Sequence, residues 1–183
     1  MKKTVLIFVP LVFLLLACVS TGDAGNNNQQ INSDILGEIF TEKNGGFSMY
    51  IPKGWELKDM NQKYLMPMGQ AENDFTANIN FGDDQYSGPL SDFGDAVIEY
   101  LKKIYTELDV VQKENFVTNS GLKGECVTLL GQLNKINVRQ RMYLIQNKAG
   151  TMVMAITGTA AQESGTKYDS VFDECVKTFS WTK

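Results

Sequence analysis

Met152-Val153-Met154-Ala155-Ile156 is an unbroken apolar run, and it constrains the architecture more than any other stretch of the chain. Read as a strand over 151–157, it presents apolar side chains to both sides of its sheet, so both faces must be covered. One helix cannot cover two faces. Two stretches have helical periodicity. Leu90, Phe93, Val97, Leu101, Ile104 and Leu108 recur at three- and four-residue intervals, with Asp92 and Asp95 early and Lys102 and Lys103 late, as the helix dipole favours. A second helix is expected over 166–179, where Tyr168, Val171, Phe172, Cys175 and Phe179 share one face. The expected fold is therefore an α+β domain with an antiparallel sheet sandwiched between helices, an α/β/α arrangement.

Further strands are expected at 46–51, 64–68, 75–81, 110–118, 122–130 and 136–145. The last of these is joined to the apolar strand by Gln146-Asn147-Lys148-Ala149-Gly150, a hairpin loop with glycine where a positive φ is commonly needed. In that partner strand Ile136, Val138, Met142 and Leu144 alternate with Asn137, Arg139, Arg141 and Tyr143, so one side of it is expected to be wet.

Ahead of the globular part, Met1-Lys2-Lys3 precedes an apolar run from Val5 to Leu16 interrupted only by Pro10. The run is roughly 18 Å long as a helix against a hydrocarbon core of about 30 Å, which marks residues 1–17 as a cleaved signal peptide and not a spanning helix. Its end, Leu15-Leu16-Ala17-Cys18, resembles the lipobox of bacterial lipoproteins. That resemblance implies cleavage between Ala17 and Cys18 and acylation of Cys18, diacylglycerol and palmitate chains included. At about 0.8 kcal/mol per buried methylene, two or three chains hold a protein at a membrane almost permanently. Residues 18–34 are mostly Ser, Thr, Gly, Asn and Gln, a flexible linker with a reach of about 20 to 25 Å. Residues 35–183 form the one domain that this length supports. Losing Lys2 and Lys3 with the leader takes the net charge from −4 to −6, which gives no electrostatic reason to bind nucleic acid or anionic headgroups.

Gly46-Phe47-Ser48-Met49-Tyr50-Ile51-Pro52-Lys53-Gly54-Trp55 resembles the opening strand and turn of the PsbP-like superfamily. Gly121-Leu122-Lys123-Gly124-Glu125, the hairpin through Tyr143-Leu144-Ile145 and Ile156-Thr157-Gly158-Thr159-Ala160, and the closing stretch from Phe172 to Phe179 are similar to its bacterial lipoprotein members in order and spacing. The resemblance spans residues 39–179. It implies about seven antiparallel strands with helices on both faces, and adaptors, assembly factors or subunits in place of enzymes. Histidine metal ligands of plant members do not carry over, because the chain has no histidine.

That absence also removes the commonest general base and metal ligand. No catalytic residue, metal ligand or cofactor site is expected. Ser120-Gly121-Leu122-Lys123 matches Ser-x-x-Lys, but the accompanying Ser-Asp-Asn motif is missing. Asp83-Asp84 lacks the spacing of a calcium loop, and no glycine-rich phosphate motif occurs. Cys126 and Cys175 either form a disulfide, whose loop of about 50 residues would stabilise by about 4 kcal/mol, or remain two buried thiols. Trp55, Tyr64, Met66, Met68 and Tyr86 are the candidate binding surface, methionine being common on adaptable surfaces. The expected function is that of a monomeric, non-enzymatic binding, adaptor or assembly module. It is lipid-anchored in the bacterial cell envelope, on the periplasmic face or cell surface, and engages an envelope protein. The alternative is a binding protein for a small apolar ligand or lipid held between sheet and helix.

Overall fold

The apolar run forms the middle strand of the larger of two sheets. The computed structural model describes residues 34–43, 45–72 and 75–182; the signal peptide, Cys18 and the linker as far as residue 33 lie outside the described residues. In chain order the strands are β1 (Leu36–Glu42), β2 (Phe47–Pro52), β3 (Glu56–Lys58), β4 (Met66–Glu72), β5 (Phe75–Gln85), β6 (Thr106–Val117), β7 (Lys123–Leu133), β8 (Ile136–Gln146), β9 (Met152–Ala161) and β10 (Ser180–Trp181). Helix α1 spans Leu90–Leu101 and helix α2 spans Asp169–Lys177. Seven strands pair antiparallel in the order β3-β4-β5-β9-β8-β7-β6, and a separate sheet has the order β1-β2-β10. The chain is a β-rich α+β fold.

The two faces of β9 feed two cores. Val153 and Ala161 lie with Phe93, Val97, Ile98 and Leu101 of α1, which crosses β7 and β8. Met154, Ile156 and Ala160 lie with Phe40, Phe47, Met49, Phe172, Cys175 and Phe179. Cover on this second face comes from the three-stranded sheet together with α2, which corrects the expectation of a sheet sandwiched between helices. A helix of nine residues is too short to close the face of a seven-stranded sheet, and the apolar side chains of β1 and β2 do the rest.

Helix α1 stops at Leu101, short of the expected 108. Lys102, Lys103, Ile104 and Tyr105 close a turn onto Ile98, Tyr100 and Leu101, and Leu108 joins β6. Ile104, Tyr105 and Thr106 are poor helix formers compared with Leu or Ala, which favours a stop here. The second helix is also shorter than expected, following a 3-10 turn at Gln162–Ser164. The β8–β9 hairpin forms as anticipated, with Gly150 at φ +68°. Gly158 has a different purpose: a Cβ there would lie 2.4 Å from the ring of Phe172, so only glycine lets α2 pack directly on β9.

Strand β8 begins wet on one side, with Asn137 exposed and Arg139 half-buried, but from Gln140 to Ile145 it is buried on both sides, against expectation. Arg141 is 6% exposed and Tyr143 is fully buried, because α2 covers this row and supplies partners for its polar groups.

Candidate functional site

Arg139, Arg141, Tyr143 and Ile145 alternate along β8 and so point to the α2 side. Asp169 and Asp173 sit four residues apart on the facing side of α2. The two sets meet. Arg139 grips Asp169 through two parallel hydrogen bonds, Nε to Oδ1 at 2.9 Å and an Nη to Oδ2 at 2.6 Å. Arg141 donates to both oxygens of Asp173 at 2.8 and 3.0 Å, to Glu114 Oε1 at 2.8 Å and to Thr128 Oγ1 at 3.1 Å. The Tyr143 hydroxyl donates to Asp173 Oδ1 at 2.5 Å. Burial, with Cys126 and Asp173 adding to it, raises the Tyr143 phenol above its ordinary value, so it stays a donor. This network is internally satisfied and clamps α2 to the sheet. It leaves no group poised for proton transfer to a substrate.

The residues expected to form a binding surface do not converge. The Trp55 ring meets Tyr168 and Phe172 edge-on at 6.1 and 6.2 Å. Tyr64 is buried against Phe47, and its hydroxyl donates to Asp83 Oδ1 at 2.8 Å. Both belong to the core under α2. Met66 is buried and Met68 half-buried on β4, whereas Tyr86 packs on Phe93 at the α1 side. The place where a small apolar ligand would lie, between the large sheet and α2, is filled by Phe47, Tyr143, Phe172 and Phe179.

Asp83 and Asp84 are consecutive on β5, so their carboxylates leave opposite faces and cannot share an ion. No group of three or more acidic or cysteine side chains placed to hold a metal occurs among the described residues. Cys126 and Cys175 lie in the same core as free thiols, each pushed up to about 12 by burial. A thiol held protonated is a poor nucleophile.

Two surface features remain. Strand β6 is an edge of the large sheet, twelve residues long and exposed at nearly every position. Its apolar side chains Val110, Val111 and Val117 are 40%, 53% and 56% exposed. At one end of the molecule, a groove of about 290 Å³ opens between the turn holding Ser120 and Leu122, the β8–β9 hairpin at Lys148 and Ala149, and Trp181 of β10. Neither feature was read from the sequence. The exposed valines of 110–118 were legible as a strand but not as an edge, and the groove draws on three segments far apart in the chain.

No family model matches the sequence, and no curated protein matches it. Solved structures do resemble it. Cyanobacterial PsbP (CyanoP) from Synechocystis superposes with a TM-score of 0.61 over 85% of this chain and 98% of its own, at 12% identity. LpqN of Mycobacterium tuberculosis, a protein involved in cell envelope biogenesis, gives 0.53 over 75% of this chain and 83% of its own at 11% identity. The Ran-binding protein Mog1p of Saccharomyces cerevisiae gives 0.52 over 81% and 97%, at 10% identity. The domain is PsbP-like in fold, as the sequence resemblance implied. No helix among the described residues is long and apolar enough to cross a membrane.

Proposed function

We propose that this chain is a lipid-anchored, non-enzymatic module of the bacterial cell envelope that engages a protein partner by taking an extended segment of it onto β6. The β6 edge carries the reading. A long edge strand offers unpaired N–H and C=O groups to another chain, and three exposed valines give an added strand apolar side chains to pack on. A second copy is a poor occupant, because antiparallel self-pairing about the strand centre sets Asp109 opposite Glu114 and like charges repel there. The lipobox-like Leu15-Leu16-Ala17-Cys18 and the linker after it support placement beside a membrane. LpqN is involved in cell envelope biogenesis and Mog1p binds Ran, which supports the envelope setting and a protein partner.

The test places a photo-cross-linking residue at Val111 of the full chain in native envelopes, with a second probe at exposed Ser87 as control. The expected result is one adduct from position 111, absent from position 87 and reduced at least about tenfold, roughly 1.4 kcal/mol, by Val110→Lys with Val117→Lys. A synthetic segment of the captured protein then slows amide exchange along β6. Equal capture from both positions, or an adduct indifferent to the two lysines, rejects docking at this edge.

A further inference from the structure

We infer, on the reading of β6 as a docking edge, that the segment it receives is basic, with two lysines or arginines four residues apart and apolar residues on its other face. Paired residues of neighbouring strands share a face, so the register with β7 assigns each side chain. Glu114 pairs with Cys126, Gln112 with Thr128 and Asp109 with Leu130, on the α2 side of the sheet. Val117 pairs with Lys123, Lys113 with Val127 and Val110 with Leu129, on the α1 side. The contacts agree. Glu114 accepts from Arg141 at 2.8 Å and the Phe116 ring meets Tyr143 at 4.9 Å, whereas Lys113 reaches Asp95 of α1 at 2.6 Å.

Strand β6 carries three carboxylates, Glu107, Asp109 and Glu114, and a single cation, Lys113, which Asp95 already holds. Asp109 is exposed and has no ion-pair partner among the described residues. Glu114 has to share its partner. Arg139 and Arg141 face Asp169, Asp173 and Glu114, so two guanidinium groups meet three carboxylates and one negative charge is left over. Of those three side chains Glu114 is the most exposed, at 39% against 19% and 28%, which puts the excess at the open edge. A strand added to β6 sets its side chains about 5 Å from those they oppose. A lysine or arginine opposite Asp109 and Glu114 is attracted, and a glutamate there is repelled.

The spacing comes from a bulge. Asp109 and Glu114 are five residues apart on β6, but their partners Leu130 and Cys126 are four apart on β7, because the irregularity between Val110 and Gln112 takes up one residue. A regular strand laid along the outer edge therefore meets the two carboxylates at positions four apart. That interval is even, so both basic side chains leave the same face of the segment. Its other face meets Val117 three residues before the first basic position and Val110 three residues after it. Both valines are exposed, at 56% and 40%, and apolar residues opposite them bury that surface. An antiparallel segment reads, from its N-terminus, apolar, two residues of any kind, basic, two of any kind, apolar, basic.

The test titrates the full chain, labelled with nitrogen-15, with three octapeptides blocked at both ends: ITTKTTVK, ITTETTVE and ITTTTTVT. The lysine peptide is expected to shift the amide resonances of Gln112 to Val117 and to bind at least about fivefold more tightly than the glutamate peptide, with the threonine peptide between them. Added salt should narrow the difference. Asp109→Lys changes an exposed side chain outside the ion-pair network, and this variant should take ITTKTTVE in preference to ITTKTTVK. Equal affinities for the lysine and glutamate peptides, with β6 shifted by both, would leave docking at this edge standing and overturn the basic partner. An Asp109→Lys variant with the preference of the unaltered chain would do the same, as would an acidic pair at these positions in the segment captured from position 111. If none of the peptides shifts β6 at millimolar concentration, docking at the edge is rejected and the basic partner with it.

Discussion

Arg141→Met is expected to lower the free energy of unfolding by about 3 kcal/mol, toward the low end of the range for breaking one side of a buried ion pair. Arg141 is 6% exposed and satisfies Asp173, Glu114 and Thr128 at once. Methionine fills much of the same space but cannot donate. Asp173 would keep the Tyr143 hydroxyl as a partner and lose the charge that offsets its own. Because the Asp173 side chain is 28% exposed, water relieves part of the loss, which is why the upper end of the range is not expected. Arg141→Lys should fall between, since an ammonium retains the charge without the two-pronged geometry. Adding Asp173→Leu to Arg141→Met should recover much of the stability, because the cost lies in the stranded carboxylate and not in a missing attraction. Urea unfolding at neutral pH measures all four proteins. A loss below about 1 kcal/mol for Arg141→Met would show that the network is held no more tightly than a surface pair.

Stability should also fall steeply once the solution is more alkaline than about pH 9. Burial raises both Cys126 and Cys175 to about 12 from an ordinary value of 9.0. Below pH 9 the thiols are protonated whether the chain is folded or not, and the native state keeps its full stability. Between about pH 9 and 12 the unfolded chain releases protons that the folded chain retains. Each thiol then costs the native state about 1.4 kcal/mol per pH unit. Tyr143, raised chiefly by burial, acts with the same sign above its ordinary value of 10. Urea midpoints taken at about pH 8 and about pH 10.5 under reducing conditions should differ accordingly, and Cys175→Ala should remove roughly half of the thiol contribution. The same experiment without reductant decides the disulfide, because a bridge between Cys126 and Cys175 would abolish both thiol titrations. An oxidised sample as steep as the reduced one indicates that no bridge forms.

Much of the architecture was legible because it rests on periodicity. The apolar run at 152–156 had to be covered on both faces, and it lies on the middle strand of the large sheet with a core on each side. The apolar stripe of α1 had to face a sheet, and it covers β7 and β8. What escaped was the part made by pairing between elements. Arg139 and Arg141 look like the solvent side of a strand when β8 is read alone. They share one face at a two-residue interval, and Asp169 with Asp173 share one face of a helix at a four-residue interval. Those two patterns set side by side carry the missing signal: a basic row and an acidic row spaced to meet. The small sheet escaped for another reason. Strand β10 is two residues long, and β1 places exposed Ile39 beside buried Phe40 after a register shift, so neither shows sustained alternation. The groove at Lys148 and Trp181 has no local pattern, since the fold alone brings its walls together.

The placement of this domain, and the role proposed for it, depend on acyl chains at residue 18. Intact mass measurement of the chain purified from its native membranes, followed by fragmentation of the N-terminal peptide, tests that directly. The account predicts a protein that begins at Cys18, lacks residues 1–17, and carries a thioether-linked diacylglycerol on the cysteine sulfur. An unmodified cysteine, or a chain that still begins at Met1, would contradict it.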